Sequence, residues 1–398
     1  MYNVVIIGGG IVGMASALKI KQKNPTYKVA VIEKESELAQ HQTGHNSGVI
    51  HSGLYYKPGS FKAKNCVDGY KQLVAFCEEE EIEYELCGKV IVATKEEQFE
   101  SLETLFERGK ENGLKGIKKL SKEEILEHEP HVNALKGIFV PQTGIVDYTA
   151  ITKKYAEKFK HFGGEIFSSA KVEKFEENRG FIHVHTSNNR FTTRVVVNCG
   201  GLYSDQIAKL SGAKVNYKII PFRGEYYKIK PEKQHLVKNL IYPVPDPNFP
   251  FLGVHFTRMI EGGIEAGPNA VFAFAREGYK KSTVNFKDLT GSLFYPGFFK
   301  VASKYWKTGL GEMYRSFSKG AFTKALQQLI PEIQKNDLEA GGAGVRAQAC
   351  DRDGGLIDDF LVVEHKQFIN VGNAPSPAAT SSLAIGDRIA EMTVQKLT

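Results

Sequence analysis

Apolar positions near the start of the chain fall in short β-branched runs cut by glycine. Val4, Val5, Ile6 and Ile7 are unbroken by any polar residue, the pattern of a strand covered on both faces in a parallel sheet. Gly8, Gly9, Gly10, Ile11, Val12 and Gly13 follow at once, and Ala15, Ala17 and Leu18 continue at helical spacing. Strand, tight turn and helix are therefore predicted in that order. After a turn at Asn24 and Pro25, the run Val29, Ala30, Val31, Ile32 predicts a second strand ending in Glu33. Two later runs, 194–198 and 368–371, read the same way. The first leads through Cys199, Gly200 and Gly201 into a helical stretch over 202–210, and the second through a Pro-rich turn to a small-residue helix start at 378–382.

Between these pieces the pattern changes. Residues 85–145 combine β-like runs at 89–93 and 137–140 with a charged helix over 96–112. Residues 216–335 are first β-like, aromatic and Pro-rich, then rich in lysine and aromatic residues. The alternation predicts an α/β fold in which a discontinuous Rossmann-type unit (1–84, 146–215 and 336–398) interleaves with a mixed α+β substrate unit (85–145 and 216–335). A chain of 398 residues, 42% hydrophobic, is long enough for two such cores.

Composition narrows the function. No apolar run reaches the roughly 18 residues of a membrane span, and the N-terminus has neither the basic flank nor the apolar core of a leader, so the mature chain is expected to start at Met1. Five cysteines without a Cys-x-x-Cys pair argue against a disulfide framework or a zinc site and favour a reducing, cytoplasmic setting. The net charge of +7 suits anionic partners, but no nucleic-acid motif accompanies it. The sequence assigns no oligomeric state.

The glycines carry specific chemistry. Gly8 permits the turn, Gly10 lets backbone approach a pyrophosphate, and Gly13 lets the helix close on the strand. Phosphate charge then faces the helix N-terminus, and Glu33 suits an unphosphorylated ribose diol. Gly200 opens a second turn of this kind. Pro377, Ala378, Thr380 and Ser381 before the last helix form a further cradle, where free N–H groups would stabilise negative charge. An ordinary N-capping turn is the competing reading of that segment.

The loop over 41–53 (HQTGHNSGVIHSG) resembles that of FAD-dependent 2-hydroxyglutarate oxidases and dehydrogenases, within the D-amino-acid-oxidase-like class. Similar blocks follow in order at 198–205 (NCGGLYSD), 221–226 (PFRGEY), 241–255 (IYPVPDPNFPFLGVH), 267–270 (GPNA), 344–348 (GVRAQ) and 373–382 (NAPSPAATSS), so the likeness runs over essentially the whole chain. It implies an FAD cofactor lying between the two units and oxidation of L-2-hydroxyglutarate to 2-oxoglutarate. Thr43, His45, Asn46 and Ser47 would lie along the cofactor, against the alternative of a loop satisfied by its own side chains. In some members of the wider class a histidine in a similar loop tethers flavin covalently; for His45, non-covalent contact is the favoured expectation.

Oxidising an alcohol next to a carboxylate needs a hydride acceptor, a base and a cation. FAD would supply the first. A neutral imidazole suits the second, leaving His51 and His255 as alternatives. Arg346, in the Gly344, Val345, Arg346 motif, matches a carboxylate with two parallel donors. A five-carbon diacid needs a second anion site, for which Arg223, Arg258, Arg276 and Tyr242 are available. Other readings stay open: an oxidase of another 2-hydroxy acid or amino acid, or a dinucleotide-binding sensor without turnover. Lastly, residues 279–325 carry nine lysines and arginines against Asp288 and Glu312, interleaved with aromatic residues that include Trp306, the chain's single tryptophan. Such a stretch suits peripheral contact with an anionic membrane, possible on the inner face of the cytoplasmic membrane, with electrons passed to a quinone or to oxygen. A helix pair with buried rings and a solvated basic face is the alternative.

Overall fold

A computed structural model describes residues 1–246 and 252–398; residues 247–251, within the 241–255 block, lie outside the described residues. The four expected nucleotide-unit strands form as Tyr2–Ile7, Val29–Ile32, Arg190–Asn198 and Phe368–Asn373. They lie side by side and parallel in one eight-stranded sheet, with Tyr2–Ile7 between Arg190–Asn198 and Val29–Ile32. Val4, Val5 and Ile6 are fully buried, because helices cover one face of the sheet and an antiparallel extension over 172–186 packs near the other. Helices Ile11–Lys23, Phe61–Glu79, Tyr148–His161 and Ser382–Leu397 supply the covering core through residues such as Met14, Leu73, Tyr155 and Ile389.

A second, nine-stranded sheet contains Lys89–Ala93, Lys136–Val140, Tyr217–Ile229, Leu240–Pro243 and His255–Arg258. The charged helix forms as Phe99–Glu111. Strand Leu338–Asp351 also joins this sheet, antiparallel to Tyr217–Ile229, with Arg346 opposite Phe222. Residues 336–398 are expected in the nucleotide unit; the long register of Leu338–Asp351 with Tyr217–Ile229 draws the first part of that segment across. We propose that the last nucleotide-unit segment begins after Asp351. A three-stranded sheet of Val49–Ile50, Tyr84–Glu85 and Gly144–Val146 joins the loop after the second strand to both regions.

The last helix begins at Ser382 and not at 378. Residues 375–381 instead form tight turns, closed by the Ala378 N–H to the Pro375 carbonyl and the Ser381 N–H to the Pro377 carbonyl. Among the described residues, no helix is long and apolar enough to cross a membrane.

Candidate active site

A cavity of about 1460 Å³ runs from the glycine turn to the second sheet. At its nucleotide end the glycines behave as their spacing predicts. Gly8 has a φ of +107°, and a Cβ there would lie 2.4 Å from the Cys199 carbonyl oxygen. At Gly13 a Cβ would meet the Gly8 carbonyl at 2.0 Å, so any side chain would push the helix off the strand. Gly10 and Gly200 line the cavity. The Ile11 N–H donates to the Thr43 hydroxyl at 3.0 Å, while Val12 and Gly13 present first-turn N–H groups that no helical carbonyl can reach.

Glu33 is buried with its carboxylate on the cavity wall. It accepts from Gly9 N–H at 2.6 Å and Glu35 N–H at 2.9 Å. Two backbone donors fix the carboxylate and leave it lone pairs for a diol. Pro377, Ala378 and Thr380 line the opposite wall. Thr380 accepts the His51 N–H at 3.1 Å and lies 2.8 Å from the Tyr148 hydroxyl, tying the C-terminal turn to the 41–53 loop. Ser381 does not reach the wall: it is fully buried, and its α-carbon packs where a Gly69 side chain would be. These features fit FAD: the glycine turn and first helix would hold the pyrophosphate, Glu33 the ribose and the 375–380 turn the ring.

The loop itself divides. His45 lines the cavity with its ring stacked on Tyr279, centroids 4.3 Å apart. Asn46 turns back on its own loop, donating to the Thr43 carbonyl at 2.6 Å and accepting from Gly48 N–H at 2.8 Å. Its amide therefore shapes the turn, as in the alternative reading of that loop, and Ser47 sits beside it on the wall. Gln42, which sequence reasoning missed, accepts the Ala347 N–H at 2.8 Å. That bond locks the loop onto the strand carrying Arg346.

At the far end the cavity is lined by His51, Tyr55, Tyr242, His255 and Arg346. His255 is 5% exposed, stacks on Tyr242 at 4.0 Å and places Nδ1 2.9 Å from the Gly253 carbonyl. A carbonyl can only accept, so Nδ1 carries the proton and Nε2 keeps its lone pair. His51 Nε2 lies 3.3 Å from the Ser376 hydroxyl. Both imidazoles are lowered from 6.5 to about 3, first by burial; Lys89 is next for His51, and Arg346 followed by Lys89 further depress His255. Both are thus neutral acceptors at neutral pH.

A consequence for pH follows from the sign of these shifts. A neutral base lowered to about 3 stays competent in acid, so the flavin-reduction rate is expected to hold level between about pH 7 and about pH 5. Stopped-flow reduction across that range checks it; a decline centred near 6.5 would mean that the working imidazole is not held neutral. Stability moves in the other direction. The unfolded chain protonates these histidines near 6.5 while the native chain does not until about 3, so their contribution turns destabilising as pH falls through that window.

Three expected anion ligands lie elsewhere. Arg223 is buried against Glu225 at 2.9 Å, Arg258 pairs with Glu85, and Arg276 makes a two-pronged contact with Asp205 at 2.7 and 2.9 Å. None of them lines the cavity; each guanidinium is neutralised by a carboxylate that no sequence spacing foretells. Tyr242 does line it. Sequence reasoning also missed Lys89, which opens an otherwise apolar strand and is 1% exposed. Charge within the run KVIVA is the one signal that could have marked it.

Comparison with known proteins agrees with this geometry. The family model described as "DAO: FAD dependent oxidoreductase" matches residues 3–392. The chain is 62% identical over 396 residues to an L-2-hydroxyglutarate dehydrogenase of Indibacter alkaliphilus, covering 99% of each. It is 44% identical to the mitochondrial L-2-hydroxyglutarate dehydrogenase of Homo sapiens, covering 99% of this chain and 89% of that one. Among solved structures, a dithionite-reduced L-alpha-glycerophosphate oxidase from Mycoplasma pneumoniae with FAD bound superposes with a TM-score of 0.81 at 25% identity, covering 99% of this chain and 94% of that one. With the family model matching residues 3–392 and a relative 62% identical over 99% of each chain, this chain belongs to the family of DAO-type FAD-dependent oxidoreductases.

Proposed function

We propose that this chain oxidises L-2-hydroxyglutarate to 2-oxoglutarate. The observation that carries the reading is the convergence, in one cavity continuous with the nucleotide cradle, of Arg346 with two neutral imidazoles. Relatives matched over 99% of this chain that bear the name L-2-hydroxyglutarate dehydrogenase support it. Bound FAD would supply the acceptor for the hydride that leaves the substrate α-carbon. Arg346 binds the neighbouring carboxylate and fixes the α-carbon in place. His255 takes the hydroxyl proton on Nε2, so that the carbon–oxygen double bond forms as the C–H bond breaks. His51, held through its backbone by Thr380, borders the reacting centre from the other side. Product analysis tests the reading: anaerobic holoenzyme mixed with L-2-hydroxyglutarate should give one 2-oxoglutarate per flavin reduced. Flavin reduction without that product would overturn it.

His45 is assigned a non-covalent contact with the cofactor, since Tyr279 already stacks on its ring. Acid precipitation checks this: yellow colour should pass to the supernatant, and colour retained in the pellet would indicate a covalent bond.

The electrons are assigned to a quinone or to oxygen, and the protein to the cytoplasm with peripheral contact to an anionic membrane. Helices Phe286–Leu293 and Pro296–Phe317 support the membrane contact. Some of their rings pack inward, Phe298 among them, but Phe294 is 84%, Phe299 71% and Phe317 72% exposed. Lys304 and Lys307 are exposed beside Tyr305 and Trp306. Rings at the headgroup boundary and lysines over anionic lipid make a coherent docking face. At low salt the protein should pellet with vesicles containing anionic lipid, and high salt should release it; protein left in the low-salt supernatant would end the lipid assignment.

A further inference from the structure

Lys89 poses a problem that the reaction as described does not solve. Its side chain is 1% exposed, and among the described residues it makes no hydrogen bond or ion pair. Its ammonium lies 4.5 Å from the Tyr55 ring centroid and 4.8 Å from that of Tyr242, and both rings line the cavity. Burial lowers the Lys89 amine from 10.5 to about 7, because two cation–π contacts return only part of the hydration that its charged form loses. The Tyr55 hydroxyl is also buried without a hydrogen-bond partner among the described residues. The Tyr242 hydroxyl, by contrast, is bonded to Thr257. The Lys89 amine and the Tyr55 O–H thus sit against the Tyr55 and Tyr242 rings at one end of the substrate cavity, Lys89 directly behind its wall and not on it, and both are donors. An anion is what such a pair lacks.

We propose that Lys89 and the Tyr55 hydroxyl form the subsite for the second carboxylate of a dicarboxylate substrate, with Arg346 holding the first. The proposal rests on the dicarboxylate reading above and names the residues that give it selectivity. A carboxylate there would complete both orphaned donors, and a cation seated over the Tyr55 ring makes its O–H a stronger donor. A methyl group in the same place would leave them unpaired, so the site rejects monoacids by leaving its own polar groups unsatisfied. Of the cations on the wall, Lys62 pairs with Asp358 at 2.7 Å, Lys34 sits between Glu35 and Glu277, and Lys171 follows Ala170, whose N–H bonds the Glu33 carbonyl at the nucleotide end. Arg108, on helix Phe99–Glu111, is the competing candidate.

Binding of two non-oxidisable probes to oxidised holoenzyme separates the possibilities. Glutarate and pentanoate differ only in the distal carboxylate, and each can be titrated through its perturbation of the flavin spectrum. The wild type should prefer glutarate, and Lys89→Met should lower the glutarate-to-pentanoate affinity ratio by roughly 10- to 100-fold with flavin content retained. An unchanged ratio in Lys89→Met, or the same loss from Arg108→Met instead, would overturn the assignment. If Lys89→Met fails to hold flavin, Tyr55→Phe decides: a reduced ratio supports the subsite and an unchanged one removes it. A wild type without preference for glutarate would instead remove the dicarboxylate reading itself.

Discussion

Changing His255 to Ala is expected to slow reduction of the bound flavin by L-2-hydroxyglutarate roughly 100-fold or more, with the flavin still in place. The reason is geometric. The Gly253 carbonyl holds the proton on Nδ1, which leaves Nε2 as a ready acceptor, and stacking on Tyr242 fixes the ring plane. His51→Ala should have the smaller effect, because the Ser376 hydroxyl already lies at its Nε2. Stopped-flow reduction at saturating substrate reads the chemical step without the binding step. Should His51→Ala be the slow variant, the base is His51; should neither be slow, an imidazole base is the wrong assignment.

Arg346→Lys is expected to weaken substrate binding by roughly 10- to 100-fold while leaving flavin content as in the wild type. Arg346 lies on the strand that Gln42 ties to the 41–53 loop, and Gly344 lets the His45 backbone come close, since a Cβ there would lie 2.4 Å from the His45 carbonyl oxygen. The position is therefore set by backbone that lysine would not disturb. Only the two-pronged match would be lost, so the substrate dissociation constant should rise more than the limiting rate falls. An unchanged dissociation constant would remove Arg346 from the carboxylate role.

The nucleotide half of the fold was legible because its signals are local. An unbroken β-branched run followed by glycines at fixed spacing specifies strand, turn and helix within a few residues, and Tyr2–Ile7, Val29–Ile32 and the Gly8 turn formed as that pattern requires. Pairing partners far along the chain were less legible. The sequence assigns 336–398 to the nucleotide unit, and only the register of Leu338–Asp351 with Tyr217–Ile229 places its first part in the second sheet.

Within the site, His51, His255, Tyr242 and Arg346 share one cavity as the motifs suggested. Arg223, Arg258 and Arg276 drop out because Glu225, Glu85 and Asp205 neutralise them. In sequence a paired arginine and an anion-binding one look alike. Lys89 escaped for the opposite reason. A lysine at a strand start reads as an exposed edge residue, and its burial arises only when Tyr55 and Tyr242, distant in sequence, close over it. Ser381 shows the same limit from the other side: a hydroxyl ahead of a helix suggests a cradle, but close packing on Gly69 turns it inward.

L-2-hydroxyglutarate is assigned as the reductant of FAD in this cavity. Anaerobic stopped-flow absorbance of the purified holoenzyme, mixed in turn with L-2-hydroxyglutarate, shorter and longer 2-hydroxy acids and neutral amino acids, tests it most directly. L-2-hydroxyglutarate should bleach the flavin band fastest and at the lowest concentration. Flavin that stays oxidised with L-2-hydroxyglutarate, but is bleached by a monocarboxylate hydroxy acid or an amino acid, would contradict it.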